Sequence, residues 1–170
     1  MLTDERGNAS IGLACGLAQE IIRTFGEVRL RVYGTSMAPS ILPGDFVSIE
    51  RASLQDISPR EIVLYLRNGR LFAHRVVDRK IAPTAGGSEE PCLITRGDRL
   101  SHDDPPVFSA ELLGRVVSVK RGNRKVQLPG MESHHPIARL LRASDRVTYL
   151  YVRLAASWRT LFPRRAKCQA

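Results

Sequence analysis

The feature that most constrains this chain is a series of short runs rich in Val, Ile, Leu and Tyr between residues 28 and 120. The runs cover residues 28–33, 46–50, 62–67, 71–77, 93–95 and 113–120. Each has the length of a β-strand, and most are bounded by Gly, Pro, Asp or Asn. Asn68-Gly69 joins the third and fourth runs, and both residues tolerate the positive φ of a type I′ hairpin turn. The pattern predicts a mainly β core.

Helical patterns flank this β region on both sides. Apolar residues recur at helical spacing from Ile11 to Phe25, and Gly26 is a typical helix stop. A second helical pattern runs from Pro136 to about Phe162, with a polar face that is almost purely arginine. We therefore expect a short amphipathic helix in residues 1–27, a β domain in residues 28–128 and a basic helical extension in residues 129–170. Within the β domain, Pro83–Pro91 has neither periodicity nor apolar content, which predicts an exposed loop.

Length and composition exclude several classes of protein. A chain of 170 residues with 43% apolar and 25% charged residues can bury one core, which excludes disordered and collagen-like chains. Cys15, Cys92 and Cys168 are widely and irregularly spaced, so we expect reduced thiols rather than a disulfide framework or a zinc site. Ala9–Ala18 is about half of the roughly 20 residues that a spanning helix needs, and the leader before it is acidic. We therefore expect a cytoplasmic protein without a signal peptide or a transmembrane segment.

The net charge of +9 belongs entirely to the end of the chain. Residues 1–120 hold 15 basic and 15 acidic residues, whereas residues 121–170 hold 11 basic residues against Glu132 and Asp145. In the last helical pattern, Leu150, Leu154 and Trp158 alternate with arginines, which is typical of a helix at an anionic membrane surface. A helix that packs on the β core through the same apolar stripe explains the pattern equally well. We do not expect a nucleic-acid partner, because no nucleic-acid-binding motif accompanies the charge.

Several short segments of the β region carry side chains that could act together in catalysis. They supply a serine in the 34–39 segment, a histidine at position 74 and aspartates between residues 98 and 104. A serine hydroxyl is a poor nucleophile near neutral pH and needs a base such as an imidazole within hydrogen-bond reach. A carboxylate on the far ring nitrogen then fixes the imidazole tautomer. These residue types are common, so their spacing alone is a weak signal.

The sequences of these segments and their order along the chain resemble the type I signal peptidase family, in particular its archaeal and endoplasmic-reticulum branch. The matching segments are Ser36-Met37-Ala38-Pro39 with Gly44-Asp45, then His74-Arg75-Val76, then Gly97-Asp98 with Asp103-Asp104, and finally Gly114-Arg115-Val116. That branch uses histidine where most bacterial members use lysine. The resemblance covers about half of the chain and implies a signal-peptidase-like β fold. It also implies a serine endopeptidase that acts on a protein or peptide substrate and needs no metal or cofactor.

Carried over position by position, the resemblance assigns a role to four side chains. Ser36 would be the nucleophile, His74 the general base, and Asp104 the carboxylate that orients His74. Asp98 would be a second acidic residue near the site. The backbone N–H of Ser36 would contribute to the oxyanion hole. The choice between Asp104 and the adjacent Asp103 stays open, and both aspartates, like Asp98, could instead form turns.

Two other functions fit the same residues. A self-cleaving relative of repressor-type peptidases would cut at Ala-Gly or Cys-Gly, and Cys15-Gly16 and Ala85-Gly86 are such dipeptides. A peptide-binding or scaffolding module would keep the fold without catalysing turnover. The chain also departs from the family at Gly34, where a polar side chain that helps to hold the oxyanion is common.

Overall fold

A computed structural model of the protein describes residues 4–84, 86–127 and 147–154. The elements in chain order are α1 (Asp4–Phe25), β1 (Glu27–Arg31), β2 (Phe46–Glu50), a single 3-10 turn (Leu54–Asp56), β3 (Ile62–Arg67), β4 (Arg70–Pro83), β5 (Glu89–Arg96), β6 (Val107–Phe108), β7 (Leu112–Arg121) and β8 (Arg124–Val126). Residues 147–154 are helical and are called α2 below. The predicted mainly β core and N-terminal helix are confirmed. The rest of the predicted C-terminal helix lies outside the described residues.

The strands form one antiparallel sheet of eight strands. Their order is β1-β2-β7-β3-β4-β5-β6, and β8 pairs with the end of β7. Asn68 and Gly69 turn the chain between β3 and β4 with φ values of 50° and 70°, and Arg67 pairs with Arg70 across the turn. The hairpin predicted at Asn68-Gly69 is therefore confirmed.

The prediction of an exposed loop over Pro83–Pro91 is confirmed for residues 84 and 86–88 and is wrong for the ends of the segment, which belong to strands. Strand β4 continues to Pro83 and β5 begins at Glu89, with Pro83 paired to Glu89. These paired residues are nevertheless largely exposed. Backbone hydrogen bonds alone extend the hairpin here, so the strands need no apolar periodicity, and the sequence pattern misses them.

Both faces of the central strand β3 are buried. Ile62 and Leu64 belong to the main core, whereas Val63 and Tyr65 belong to a second core on the other face. Successive side chains of a strand point to opposite faces, so a strand that is covered on both sides is apolar throughout. From residue 12 to the end of α1, the buried residues are Cys15, Ala18 and Ile22, and Ile22 joins the main core.

Helix α2 packs against the loop between β1 and β2. Val147, Tyr151 and Val152 lie against Ala38 and Leu42 of that loop. No helix in the described ranges is long and apolar enough to cross a membrane.

Gly114 allows the backbones of β7 and of the end of β2 to approach closely. A Cβ atom added at Gly114 would lie 2.2 Å from the carbonyl oxygen of Glu50 and 3.1 Å from the Cα of Arg51. Both obstacles are main chain and cannot turn away as a flexible side chain could. The glycine of the Gly114-Arg115-Val116 segment is thus explained by close packing in the sheet.

We predict that Gly114→Ala lowers the free energy of unfolding by about 1–3 kcal/mol, the usual cost of forcing extra atoms into a packed site. Gly34→Ala is the control, because an added Cβ there has no heavy atom within 4 Å. Urea unfolding of the two variants measures the difference. Equal stability of the variants would show that the sheet accommodates the methyl group without cost.

Candidate active site

The loop that carries Ser36 is closed at its base by backbone hydrogen bonds and a buried ion pair. The Val32 N–H donates to the Asp45 carbonyl (2.8 Å), and the Gly44 N–H donates to the Val32 carbonyl (2.7 Å). The Asp45 carboxylate is fully buried, accepts the Leu42 N–H at 2.8 Å and binds Arg121 Nη2 at 2.8 Å. A buried carboxylate is tolerated when it is paired and hydrogen-bonded in this way. Asp45 therefore holds the loop rather than taking part in chemistry.

Contacts from the rest of the fold then fix Ser36 within this loop. Met37 and Ile41 are buried in the main core. The Ser36 carbonyl accepts the backbone N–H of Arg99 at 2.9 Å. A Cβ atom at Gly97 would lie only 2.8 Å from that carbonyl oxygen, so the loop after β5 passes very close to Ser36. The serine is held between two loops that are far apart in sequence.

The pairing of β4 with β5 decides which side chains surround His74. Val76 pairs with Thr95, and directly paired residues lie on the same face of a sheet. His74 lies two residues before Val76 and therefore shares this face. Arg75 points to the opposite face. Because side chains alternate between the two faces of the sheet, Thr95 lies on the same face as His74. The residues that contact Arg75 lie on the other face.

Ser36, His74 and Asp104 form a continuous hydrogen-bonded chain. His74 Nε2 lies 2.9 Å from Ser36 Oγ, and His74 Nδ1 lies 2.6 Å from Asp104 Oδ2. An ionised carboxylate only accepts hydrogen bonds, so the ring nitrogen that faces it carries the proton. In the neutral imidazole Nε2 is then an acceptor, and the Ser36 hydroxyl donates to it. This arrangement can remove the proton from the hydroxyl as the oxygen attacks.

Thr95 holds the carboxylate of Asp104 in its charged form. Burial by itself raises the pKa of Asp104, but hydrogen bonds from His74 and Thr95 outweigh burial and bring the pKa below its ordinary value of 3.8. Thr95 Oγ1 donates to the same oxygen that His74 contacts, at 2.7 Å. The Asp104 backbone N–H in turn donates to the Thr95 carbonyl at 2.8 Å. Thr95 therefore fixes both the main chain and the side chain of Asp104.

Aromatic rings enclose the buried His74 on the side away from Ser36. Phe72 lies at 6.0 Å between ring centroids and Tyr65 at 6.2 Å, both in edge-on geometry. Burial raises the pKa of Tyr65 to about 12, so its phenol stays protonated at neutral pH. The Tyr65 oxygen lies 3.5 Å from His74 Nδ1. His74 itself is buried, and burial strengthens the electrostatic contacts of the imidazole.

The other two aspartates lie apart from this chain of contacts. The Asp98 carboxylate binds Arg75 Nε and Nη2, each at 2.8 Å. Arg75 also donates to the Arg60 carbonyl at 2.9 Å, so the pair braces the backbone on the face opposite His74. Asp103 forms a half-exposed ion pair of 3.5 Å with Arg96. Of the three candidate aspartates, the structure brings Asp104 alone to His74.

Thr95 and Tyr65 received no role from the sequence. Thr95 stands two residues before Gly97-Asp98, but only the register of β5 on β4 shows that it faces His74. Tyr65 is part of an apolar strand and carries no motif. The signal that could have found both residues is strand pairing, since each lies on the same sheet face as His74.

Comparisons with known proteins add nothing to this picture. A scan against models of protein families found no match, and a search of curated proteins found none either.

Among the described residues, no group of three or more His, Cys, Asp and Glu side chains could hold a metal ion. The two cysteines in the described ranges, Cys15 and Cys92, are buried free thiols.

We predict that Thr95→Val reduces stability in a pH-dependent manner. The lowered pKa of Asp104 stabilises the fold above the unfolded-state pKa of about 3.8, and this contribution disappears as the pH falls through the folded-state pKa. Loss of a hydrogen bond to a charged group should cost about 1.5–3 kcal/mol at pH 7. The difference from the parent protein should narrow as the pH falls below about 4.

Urea unfolding at a series of pH values measures this difference. Thr84→Val is the control, because the Thr84 hydroxyl contacts the neutral Ser88 hydroxyl at 2.9 Å, and the onward contact from Ser88 to the exposed Glu90 carboxylate is long, 3.4 Å. Its effect should be the same at every pH. If the effect of Thr95→Val were also independent of pH, the hydroxyl would not be supporting the charge of Asp104.

Proposed function

We propose that this protein is a serine endopeptidase in which Ser36 is the nucleophile, His74 the general base and Asp104 the orienting carboxylate. The observation that carries the proposal is the unbroken contact from Ser36 Oγ through the imidazole to Asp104, with distances of 2.9 and 2.6 Å. Three separate loops and strands supply these groups. The resemblance of the surrounding segments to type I signal peptidases supports the same assignment.

The reaction follows from the positions of the protons. Ser36 Oγ attacks the carbonyl carbon of the scissile peptide bond while His74 Nε2 takes the hydroxyl proton. The C–N bond then breaks as the imidazolium returns that proton to the leaving amine, which leaves an acyl ester on Ser36. A water molecule gives its proton to Nε2 and attacks the ester, and the carboxylic acid product leaves as Ser36 regains a proton. The Asp104 carboxylate stabilises the imidazolium in both halves.

The backbone N–H of Ser36 is a donor for the oxyanion that forms in each half. No hydrogen bond within the described part of the chain uses this N–H. An N–H that is already fixed in place stabilises developing negative charge without reorganisation. Gly34 has no side chain to add a second donor. We therefore assign the main electrostatic role at the oxyanion to the backbone.

A substrate in extended form would bind along the edge of the sheet next to Ser36. Among the described strands, β1 pairs with β2 alone, and its last residue leads directly into the Ser36 loop. The other edge of β1 offers backbone donors and acceptors that a peptide strand can use. This mode of binding supports a protein or peptide substrate.

We predict that Ser36→Ala abolishes covalent labelling by a serine-directed acylating probe and that His74→Ala slows labelling by about 10²–10⁴-fold. Ser109→Ala and His102→Ala are the matched controls, since both residues lie exposed outside the site. Mass spectrometry of the labelled protein measures the result.

The same variants separate the alternative functions. Unchanged labelling in Ser36→Ala would contradict the proposal. A non-catalytic peptide-binding module would show no labelling in the parent protein. A self-cleaving protein would lose its intact mass of 18.9 kDa on incubation and would keep it in Ser36→Ala. Cys15, at one candidate self-cleavage dipeptide, is buried in the middle of α1, which disfavours cutting there.

We also propose that α2 binds the surface of an anionic membrane. Leu150 and Leu154, one helical turn apart, are 58% and 53% exposed, while Val147 packs on the Ser36 loop. One part of the predicted apolar stripe therefore packs on the protein, and another part is exposed. The surplus of basic residues after residue 120 supplies attraction to anionic lipid. This division favours a peripheral membrane helix over one that is wholly docked on the protein.

We predict that the full chain floats with anionic vesicles, that salt weakens this binding, and that the double change Leu150→Ser and Leu154→Ser reduces it at least severalfold. Loss of buried apolar area explains the reduction. Leu13→Ser with Leu17→Ser is the matched control, because this pair is equally spaced and exposed on α1. Equal binding to anionic and neutral vesicles, or equal loss in both double variants, would contradict membrane binding through α2.

A further inference from the structure

Arg67, at the end of β3, reaches the segment that directly follows Asp104. Its Nη1 donates to the Pro105 carbonyl at 3.1 Å, and its Nη2 donates to the Pro106 carbonyl at 2.7 Å. These two carbonyls belong to the first two residues after the proposed orienting aspartate. No motif in the sequence marks this arginine, and it lies outside all the segments that resemble signal peptidases.

Glu111 holds the guanidinium of Arg67 in position for these contacts. Glu111 Oε1 accepts from Nε and Oε2 accepts from Nη2, both at 2.6 Å. The hydrogen bonds from Arg67 lower the pKa of Glu111, and those to Glu111 raise the pKa of Arg67. Both groups are therefore charged at neutral pH. A guanidinium that meets a carboxylate through two parallel bonds has little freedom to rotate.

The loop that carries Asp104 needs such support. Its neighbours Asp103 and Pro105 are exposed, and the loop joins β5 to the very short strand β6. On the upstream side, the hydrogen bonds to Thr95 hold Asp104 itself. Arg67 supplies the corresponding attachment downstream. Asp104 is thus fixed from both directions by neighbouring strands of the sheet.

We propose that Arg67 is a positioning residue for the Ser36-His74-Asp104 site: by binding the Pro105 and Pro106 carbonyls it keeps the Asp104 carboxylate directed at His74 Nδ1. The inference rests on the proposed peptidase function. Its action is mainly mechanical, because Asp104 is the smallest of the charges that act on the guanidinium and the adjacent Glu111 carboxylate is paired with it directly. Arg67 also lies 5.3 Å from the centre of the Tyr65 ring, so it packs beside another neighbour of His74.

A double-mutant cycle tests whether Arg67 acts through Asp104. Acylation of Ser36 is followed by release of p-nitrophenolate from p-nitrophenyl acetate, with the rate of Ser36→Ala subtracted. We expect Arg67→Met to slow acylation about tenfold or more in the parent protein, since a displacement near 1 Å can cost up to about 10². In the Asp104→Asn background the same change should slow acylation less than twofold, because the contact it supports is already lost.

Equal losses in the two backgrounds would overturn the proposal and leave Arg67 a purely structural residue. Arg79→Met is the matched control, because Arg79 also donates to a backbone carbonyl, that of Ile57 at 3.0 Å, and lies on β4 outside the site. Arg67→Lys provides a second variant should Arg67→Met not fold. It keeps the cation but cannot make the paired contacts, so it should also lose more in the parent than in Asp104→Asn.

A readout without substrate separates this inference from the peptidase proposal. The His74 Nδ1 proton, bound between nitrogen and carboxylate, should give a low-field proton resonance that disappears in His74→Ala. We expect Arg67→Met to shift or broaden this resonance and Arg79→Met to leave it unchanged. An unchanged resonance in Arg67→Met would overturn the positioning role. Absence of acylation in the parent protein, with the resonance still sensitive to Arg67, would overturn only the peptidase function.

Discussion

The alternation of side chains along β4 is the constraint on which the rest of the site depends. His74 and Arg75 are neighbours in the chain, yet they lie on opposite faces of the sheet and meet different acidic partners. His74 meets Asp104, whereas Arg75 takes both oxygens of Asp98. A shift of β4 by one residue would exchange the two faces and bring the wrong pair together. The tight turn at Asn68-Gly69 prevents that shift, because it fixes the register of β4 on β3.

The site also depends on a balance between burial and hydrogen bonding at Asp104. Burial raises the pKa of a carboxyl, and a neutral Asp104 could no longer stabilise an imidazolium. Hydrogen bonds from His74 and Thr95 reverse this tendency. The buried Tyr65 contributes differently, since its own pKa of about 12 keeps it neutral and adds no competing charge. The site can therefore be buried enough to strengthen its electrostatic contacts while Asp104 keeps its negative charge.

Local sequence patterns predict those strands and turns whose formation depends on residues close together in the chain. The bounds predicted for β2 and β3 match the structure, and the Asn68-Gly69 turn has the expected positive φ values. The ends of β4 and β5 beyond the core cannot be predicted from the sequence. Their side chains are exposed, so apolar residues do not alternate along them. The resemblance identifies Ser36, His74 and Asp104, and in the structure His74 contacts both of the others. Arg67 is not identified, because its partners are 38 to 44 residues away in sequence and only the sheet order brings them near.

The contact between α2 and the Ser36 loop links the basic end of the chain to the site. Ala38 and Leu42, two and six residues after the serine, are fully buried beneath Val147, Tyr151 and Val152. Apolar contacts of this kind contribute roughly 25 cal/mol for each Å² removed from water, so the helix adds to the stability of the loop only while it stays docked. Val147, Leu150 and Leu154 stand at positions i, i+3 and i+7, so the exposed leucines border the docked residues on the helix surface. The proposed membrane contact and the docked contact are therefore adjacent on one short helix, so a membrane that binds Leu150 and Leu154 lies next to the Ser36 loop.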